Sequence, residues 1–202
     1  GTIDDLGEPY VWGALTGVKP SPAMIGYTGY ATLQDAINAA VNGDEIKLYE
    51  TLEENVIVSQ TPDVAITING NNQNYRGTIT VDGGSAAYET AALTIKNFSF
   101  NAYSISKDAV INLGGTNPTR YTNHVTIENC DFRGNDANKN KVAVKSYTGG
   151  CKNLTITECT ATGLHSLAQL YTTAGVTVEG CEITKSKSGI SLTASSGVSI
   201  SD

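Results

Sequence analysis

The chain has 202 residues, and its 20 acidic against 13 basic residues give a formal net charge of −7 at pH 7. An acidic chain without a cluster of lysines and arginines lacks the electrostatic attraction that nucleic acids require, so no nucleic-acid partner is expected. With 40% hydrophobic and 16% charged residues the composition is too apolar for a disordered chain, and without a long apolar run no membrane insertion is expected.

Residues 1–29 predict an irregular lead-in, because Pro9, Pro20 and Pro22 are interspersed with several glycines. The chain begins at Gly1 without the basic start and apolar core of a signal peptide, which indicates a mature or trimmed chain. Residues 30–202 are predicted to form a single domain.

A short amphipathic helix is predicted over about residues 32–42. Thr32 suits the N-cap position, and Asp35 stands at the third helical position as in a variant capping box. Gly43 is predicted to end the helix. The apolar residues of this segment share one face and are Leu33, Ala36, Ile37, Ala40 and Val41. Such a helix would cover the strand edges at one end of the domain.

The remainder of the domain is a repeat. Triplets of apolar, hydroxyl and apolar residues begin at Leu93, Val125, Leu154, Val176 and Val198, about 22 to 32 residues apart. A short repeat of this kind, with two further apolar strands before each glycine-containing turn, indicates stacked coils of parallel strands. We therefore expect Val125, Leu154 and Val176 to be vertical neighbours in successive coils.

The residues that follow each triplet support this prediction. Four residues after each triplet start come Asn97, Asn129, Glu158 and Gly180, and asparagine and glycine tolerate the left-handed backbone that a sharp bend requires. One residue later come Phe98, Cys130, Cys159 and Cys181, which are expected to point inward as a stack. A β-sandwich is the alternative, but it gives no reason for cysteine at the same position in three consecutive repeats.

These features resemble the right-handed parallel β-helix, or pectin-lyase-like, superfamily of bacterial secreted and surface proteins. The resemblance covers about Tyr30–Asp202, and residues 30–48 are similar to its common opening, an amphipathic helix followed by Gly43-Asp44 and a first strand. It implies an all-β fold, a right-handed single-stranded parallel β-helix with a short N-terminal capping α-helix, and a secreted or cell-surface location. The residue sets of the polygalacturonase-like hydrolases are incomplete here, since only Asn129 and Asp131 match, so no catalytic residue is assigned.

The cysteines are interpreted as structural. In-line side chains one coil apart neither converge on a zinc ion nor meet the geometry of a disulfide bond, so a buried stack of free thiols is expected. Cys151 follows two glycines, and the sequence leaves its role open.

Outward-facing carboxylates form a candidate cation site. Glu128 and Glu179 are expected two coils apart on one face, and Asp131 and Glu182 repeat that arrangement around the bend. Ca²⁺ prefers several oxygen ligands, which these carboxylates could supply. The alternative is that the spaced carboxylates form a solvated acidic face without a bound ion. No other metal or cofactor is assigned.

The sequence favours a non-catalytic β-helix domain of an exported bacterial protein, acting in cell-surface adhesion or in binding a polysaccharide or surface glycan. The loops at 114–124 and 133–141 are expected to carry this function. The candidate ligand-binding residues are Arg120, Tyr121, Arg133, Tyr147 and Tyr171. A polysaccharide lyase or glycoside hydrolase of the same superfamily, in complete or truncated form, is the alternative, and a rigid spacer without a ligand is a third hypothesis. The last coil opens at Val198 without a capping segment, so we expect either that the natural chain continues or that another molecule covers this coil in an end-to-end contact.

Overall fold

A computed structural model describes residues 20–83, 90–114, 121–135, 139–147, 150–171 and 173–202. Its strands stack as about six coils, and successive coils contribute parallel strands to three sheets. The chain therefore forms a β-helix, in which each strand of an inner coil pairs with the equivalent strands of the neighbouring coils.

Sheet A holds nine strands, the first two of which form an N-terminal hairpin. The nine strands are, in spatial order, β2 (Thr28–Tyr30), β1 (Ala23–Ile25), β3 (Glu45–Leu48), β5 (Ala65–Asn69), β8 (Ala92–Lys96), β11 (Thr122–Glu128), β14 (Cys151–Thr157), β17 (Ala174–Glu179) and β20 (Ser196–Ser201).

Sheets B and C complete each coil. The strands of sheet B are β6 (Asn74–Tyr75), β9 (Ser99–Asn101), β12 (Asp131–Arg133), β15 (Thr160–Thr162) and β18 (Glu182–Thr184). The strands of sheet C are β4 (Val56–Ser59), β7 (Ile79–Asp82), β10 (Ala109–Leu113), β13 (Val142–Ser146), β16 (Ser166–Tyr171) and β19 (Ile190–Thr193). A single 3₁₀ turn, Ala102–Ser104, follows β9 in the described part of the chain.

The N-terminal end differs from the sequence prediction in two respects. Residues 23–30 are not irregular, because β1 and β2 form an antiparallel hairpin whose first strand pairs with β3. The helix α1 spans Leu33–Ala39 with Thr32 as its N-cap, whose hydroxyl accepts from the Asp35 N–H at 3.0 Å. It ends at Ala40 and not at Gly43, because the Val41 N–H bonds to the Asp44 carboxylate and draws the chain away from the helix axis.

The predicted register of the coils is confirmed. Val125 pairs with Leu93 on one side and Leu154 on the other, and Leu154 pairs in turn with Val176. All four side chains are buried, because strand alternation turns them into the interior of the solenoid. A second interior column in sheet A consists of Ile46, Ile68, Ile95, Ile127, Ile156 and Val178. Like side chains therefore stack on like, and each coil completes the core of its neighbours.

The bend between sheets A and B is made by one left-handed residue in each coil. Asn97, Asn129, Glu158 and Gly180 have φ between +48° and +59°, as the sequence pattern predicts. The first two form part of an amide ladder, in which Asn129 Nδ2 donates to Asn97 Oδ1 at 2.8 Å. Glu158 adopts the same backbone conformation without the local hydrogen bonding that makes asparagine suitable there.

Candidate functional site

Two of the predicted ligand-binding tyrosines lie together on the outer face of sheet C. Lys145 of β13 is in register with Gln169 of β16, and Tyr147 and Tyr171 each follow two residues later. Because side chains alternate along a strand, all four face outward, while Ser146 and Leu170 between them are buried. Each tyrosine is half-buried, so part of each ring remains accessible on this face.

Amide side chains hold both tyrosine hydroxyls in place. The Tyr147 hydroxyl donates to Asn112 Oδ1 at 3.1 Å, and Gln169 Nε2 donates to the Tyr171 hydroxyl oxygen at 3.1 Å. Asn112 belongs to β10 and is in register with Lys145, so the contact joins adjacent coils. The two rings, Lys145 and Gln169 lie on the outer surface that we call the tyrosine face, and the buried Asn112 supports it from the adjacent coil.

A lysine and a carboxylate complete the tyrosine face. Lys145 Nζ lies 5.3 Å from the centre of the Tyr147 ring and 3.8 Å from the Asp108 carboxylate. Burial raises the pKa of Tyr147, and the negative charge of Asp108 raises it further. The Tyr147 hydroxyl is therefore protonated at neutral pH and acts as a hydrogen-bond donor rather than as a base.

Tyr121 lies apart from the tyrosine face, at the corner between sheets C and A. Lys152 Nζ sits 4.4 Å from the centre of the Tyr121 ring and 3.4 Å from its hydroxyl oxygen. Together they border a groove of ≈ 280 Å³ whose other lining residues are Cys151, Thr173, Ala174, Ala194 and Ser196. The lysine covers one face of the ring, so Tyr121 is less available for stacking than the tyrosines of sheet C.

Arg133 lies apart from the tyrosines of sheet C, and Arg120 is outside the described residues. Arg133 is on the outer side of sheet B, where its Nε is paired with the Asp131 carboxylate. Arg120 lies outside the described residues, as does the rest of 115–120. Of the four predicted ligand-binding residues that the structure describes, only Tyr147 and Tyr171 share one surface.

The carboxylates of the predicted cation site have the register that the repeat indicated. Thr157 separates Glu128 from Glu179 in sheet A, and Thr160 separates Asp131 from Glu182 in sheet B. Asp131 is engaged by Arg133 and accepts from the Thr160 hydroxyl at 2.7 Å. Among the described residues, no three His, Cys, Asp or Glu side chains come together in a way that could hold a metal ion.

All four cysteines are free thiols, and for Cys130, Cys159 and Cys181 this is consistent with the expected structural column. Cys130 and Cys159 are buried at the bend between sheets A and B, and Cys181 is partly exposed in the next coil. Hydrogen bonding between the thiols of Cys159 and Cys130, together with burial, raises the pKa of Cys159 to about 12. Burial raises the pKa of Cys151, whose role the sequence left open, to about 12 as well. Such thiols are protonated and unreactive at neutral pH.

Sequence reasoning missed the amides that position the tyrosines. Asn112 and Gln169 lie in different coils, and neither stands in a recognisable motif. Aligning both Asn112 and Gln169 with Lys145 would have revealed these amides. That alignment is not evident in the sequence, because the strands of sheet C are separated by loops of unequal length. No helix in the described part of the chain is long and apolar enough to cross a membrane.

Stacked parallel coils with a capped N-terminal end define the class of protein as a β-helix. Residues 78–202 match the family model described as "Right handed beta helix region", which covers more than half of the chain. The chain therefore belongs to this right-handed β-helix family, in agreement with the resemblance noted in the sequence. Comparisons with curated proteins and with solved structures give no match.

Proposed function

We propose that this chain is a non-catalytic carbohydrate-binding domain, exported by a bacterium to act in the medium or at the cell surface. The glycan lies on the tyrosine face of sheet C. The observation that carries the proposal is the pair of half-buried tyrosines, Tyr147 and Tyr171, which come from adjacent coils and have their hydroxyls bonded to Asn112 and Gln169.

The chemistry of this surface matches that of a sugar ring. A pyranose has apolar C–H faces that pack on aromatic rings and hydroxyl edges that need hydrogen-bond partners. Tyr147 and Tyr171 supply the rings, while Lys145 and Gln169 supply polar groups beside them on the outer face. Because the amides already hold the tyrosines, little side-chain freedom is lost when a ligand binds, which favours affinity.

Binding is favoured over catalysis by the ionisation of this surface. Glycoside hydrolysis requires two carboxyl groups, one on each side of the scissile bond. On the tyrosine face the raised pKa of Tyr147 keeps its hydroxyl protonated, and the neighbouring Asp108 is paired with Lys145. These groups can orient a glycan without transferring a proton.

The proposal is tested by screening the chain on a glycan array and measuring the affinity for the best ligand by calorimetry. Tyr147→Ala and Tyr171→Ala should each weaken binding by about fivefold or more, since a stacked ring contributes on the order of 1 kcal/mol or more. Tyr27→Ala is the control, because Tyr27 is fully exposed in the N-terminal hairpin. Equal loss in the control, or no binding to any glycan, would contradict the proposal. Release of unsaturated or reducing products from a bound polysaccharide would instead favour the lyase or hydrolase alternative.

A further inference from the structure

Three polar side chains with complementary chemistry meet on the outer face of sheet A, whereas the tyrosine face belongs to sheet C. Asn69 of β5 and Lys96 of β8 are directly in register in adjacent coils. Glu45 comes from β3, one coil earlier, and is in register with Thr67, two residues before Asn69. The Glu45 side chain therefore extends along the strand direction to reach Asn69 and Lys96.

One oxygen atom of Glu45 contacts both partners. Asn69 Nδ2 donates to Glu45 Oε1 at 2.8 Å, and Lys96 Nζ lies 3.2 Å from the same oxygen. The carboxylate thus holds an amine and a carboxamide side by side. The hydrogen bond from Asn69 lowers the pKa of Glu45, and Lys96 lowers it further, so this carboxyl group is ionised at neutral pH.

The carbonyl oxygen of the same carboxamide is held by two N–H donors. The backbone N–H of Asn71 donates to Asn69 Oδ1 at 2.9 Å, and Asn97 Nδ2 donates to it at 3.1 Å. Asn97 is fixed by its own left-handed backbone and by the amide ladder to Asn129. Two preorganised donors on one carbonyl oxygen polarise the carbonyl group and stabilise negative charge that develops on the oxygen.

We propose that Lys96 and Asn69 form an intramolecular isopeptide bond, promoted by Glu45. Glu45 takes one proton from the Lys96 ammonium, and the freed Nζ lone pair attacks Cγ of Asn69. The Asn71 N–H and Asn97 Nδ2 stabilise the oxyanion at Oδ1. Glu45 returns the proton to Nδ2, the Cγ–Nδ2 bond breaks, and the second Nζ proton is passed to the departing ammonia, which leaves as ammonium. The products are a secondary amide between adjacent coils and a regenerated Glu45 carboxylate.

Local geometry favours this reaction over the usual reaction of an Asn-Gly sequence. In that reaction the backbone nitrogen of Gly70 attacks the Asn69 side chain and forms a succinimide. Here the Gly70 N–H is bound to the Lys96 carbonyl oxygen at 2.8 Å, as part of the contact between the coils. The Lys96 side chain is only 31% exposed, so it is held beside its target rather than free in solvent.

The test is intact-mass and peptide-mapping mass spectrometry of the purified chain after prolonged incubation at mildly alkaline pH. The wild-type chain should be lighter by one ammonia molecule, and its digest should contain a peptide pair joined through Asn69 and Lys96. Glu45→Gln and Lys96→Arg should abolish the joined pair. Lys47→Arg is the matched control, because Lys47 is in register with Asn69 on its other side and should leave the linkage intact.

Two results would overturn the proposal. The first is a wild-type chain that keeps its full mass throughout the incubation or gains only the mass of deamidation. The second is an ammonia loss that persists in Lys96→Arg and yields no joined peptides, which would identify a succinimide at Asn69. The inference is independent of glycan binding, since none of its residues belongs to the tyrosine face.

Discussion

Gln34 of the capping helix pairs its side-chain amide with the backbone of Ile57 in the same way that a neighbouring strand would. Its Nε2 donates to the Ile57 carbonyl oxygen at 3.0 Å, and its Oε1 accepts from the Ile57 N–H at 2.7 Å. Ile57 belongs to β4, the first strand of sheet C, and no strand in the described part of the chain lies beside its outer edge. The helix therefore closes this edge with a side chain as well as covering the end of the core.

Gln34→Ala should destabilise the chain and promote association through β4. Loss of two hydrogen bonds is expected to lower the free energy of unfolding by about 1–2 kcal/mol. It also leaves a strand edge with an Ile57 side chain that is 54% exposed, which favours edge-to-edge pairing. Chemical denaturation and light scattering measure the two effects. Asn38→Ala is the control, because it removes a neighbouring contact of Gln34 and leaves the pairing with Ile57 intact.

A second test concerns the close approach of Gly70 to Phe98. A methyl group added at Gly70 would lie 2.5 Å from the Phe98 ring and 2.7 Å from the Asn97 carbonyl oxygen. Gly70→Ala should therefore lower the free energy of unfolding by about 1–3 kcal/mol through overpacking. In Gly189→Ala the new methyl group meets only Ile183 at 3.6 Å, so denaturation should show little change. Equal effects of the two substitutions would contradict this account.

Most of the fold follows from residue patterns that are local in the chain. The triplets at Val125, Leu154 and Val176 predicted vertical neighbours, and the structure confirms them. This works because stacking repeats the same environment in each coil, so equivalent positions select similar residues. The cap helix was also predictable, but its end was not. Gly43 is the local stop signal, whereas the earlier end at Ala40 is stabilised by the contact between Val41 and Asp44.

The candidate sites were less predictable because they depend on contacts between coils. Tyr147 and Tyr171 could be selected as outward aromatic residues, but Asn112 is 35 residues from the tyrosine that it contacts. The contact of Glu45 with Lys96 was also missed, since it requires the register of three coils at once. The isoleucines that follow Glu45 and precede Asn69 and Lys96 stack on one another, and that register is the signal that could have revealed it. The end-to-end contact at the last coil stays a prediction.

Replacing Glu158 by asparagine should stabilise the bend between sheets A and B. Glu158 has φ of +53°, a conformation that costs an ordinary residue about 1–2 kcal/mol and that asparagine tolerates. Glu158→Asn should therefore raise the free energy of unfolding by about 1 kcal/mol, and it would place a third amide above Asn97 and Asn129. Glu179→Gln is the control, because it removes one negative charge at a residue whose backbone is not left-handed. It therefore shows how much of any gain in stability comes from the loss of charge rather than from relief of backbone strain. A gain of the same size in that control would contradict the backbone explanation.

Substitutions of Tyr75 test how ring packing and a buried hydroxyl group affect the stability of the interior. The Tyr75 ring packs edge-on against Phe98 and Phe100, with centres 5.6 Å and 5.8 Å apart, and its buried hydroxyl has no hydrogen-bond partner among the described residues. Tyr75→Phe keeps the ring and removes the unpaired hydroxyl. The free energy of unfolding should therefore stay the same or rise by about 1 kcal/mol, whereas Tyr75→Leu should lower it by loss of the ring contacts.

The same substitution should change the pH dependence of stability in alkaline solution. Burial raises the pKa of Tyr75 in the folded chain, and the Glu54 carboxylate raises it further. Below the ordinary tyrosine pKa of about 10 the hydroxyl is protonated in both the folded and the unfolded chain, so it does not make the free energy of unfolding depend on pH. Above that pH the unfolded chain loses this proton while the folded chain keeps it, so wild-type stability falls as pH rises. Urea denaturation at several alkaline pH values should show a shallower fall for Tyr75→Phe, and parallel curves would mean that this hydroxyl reaches solvent in the folded state.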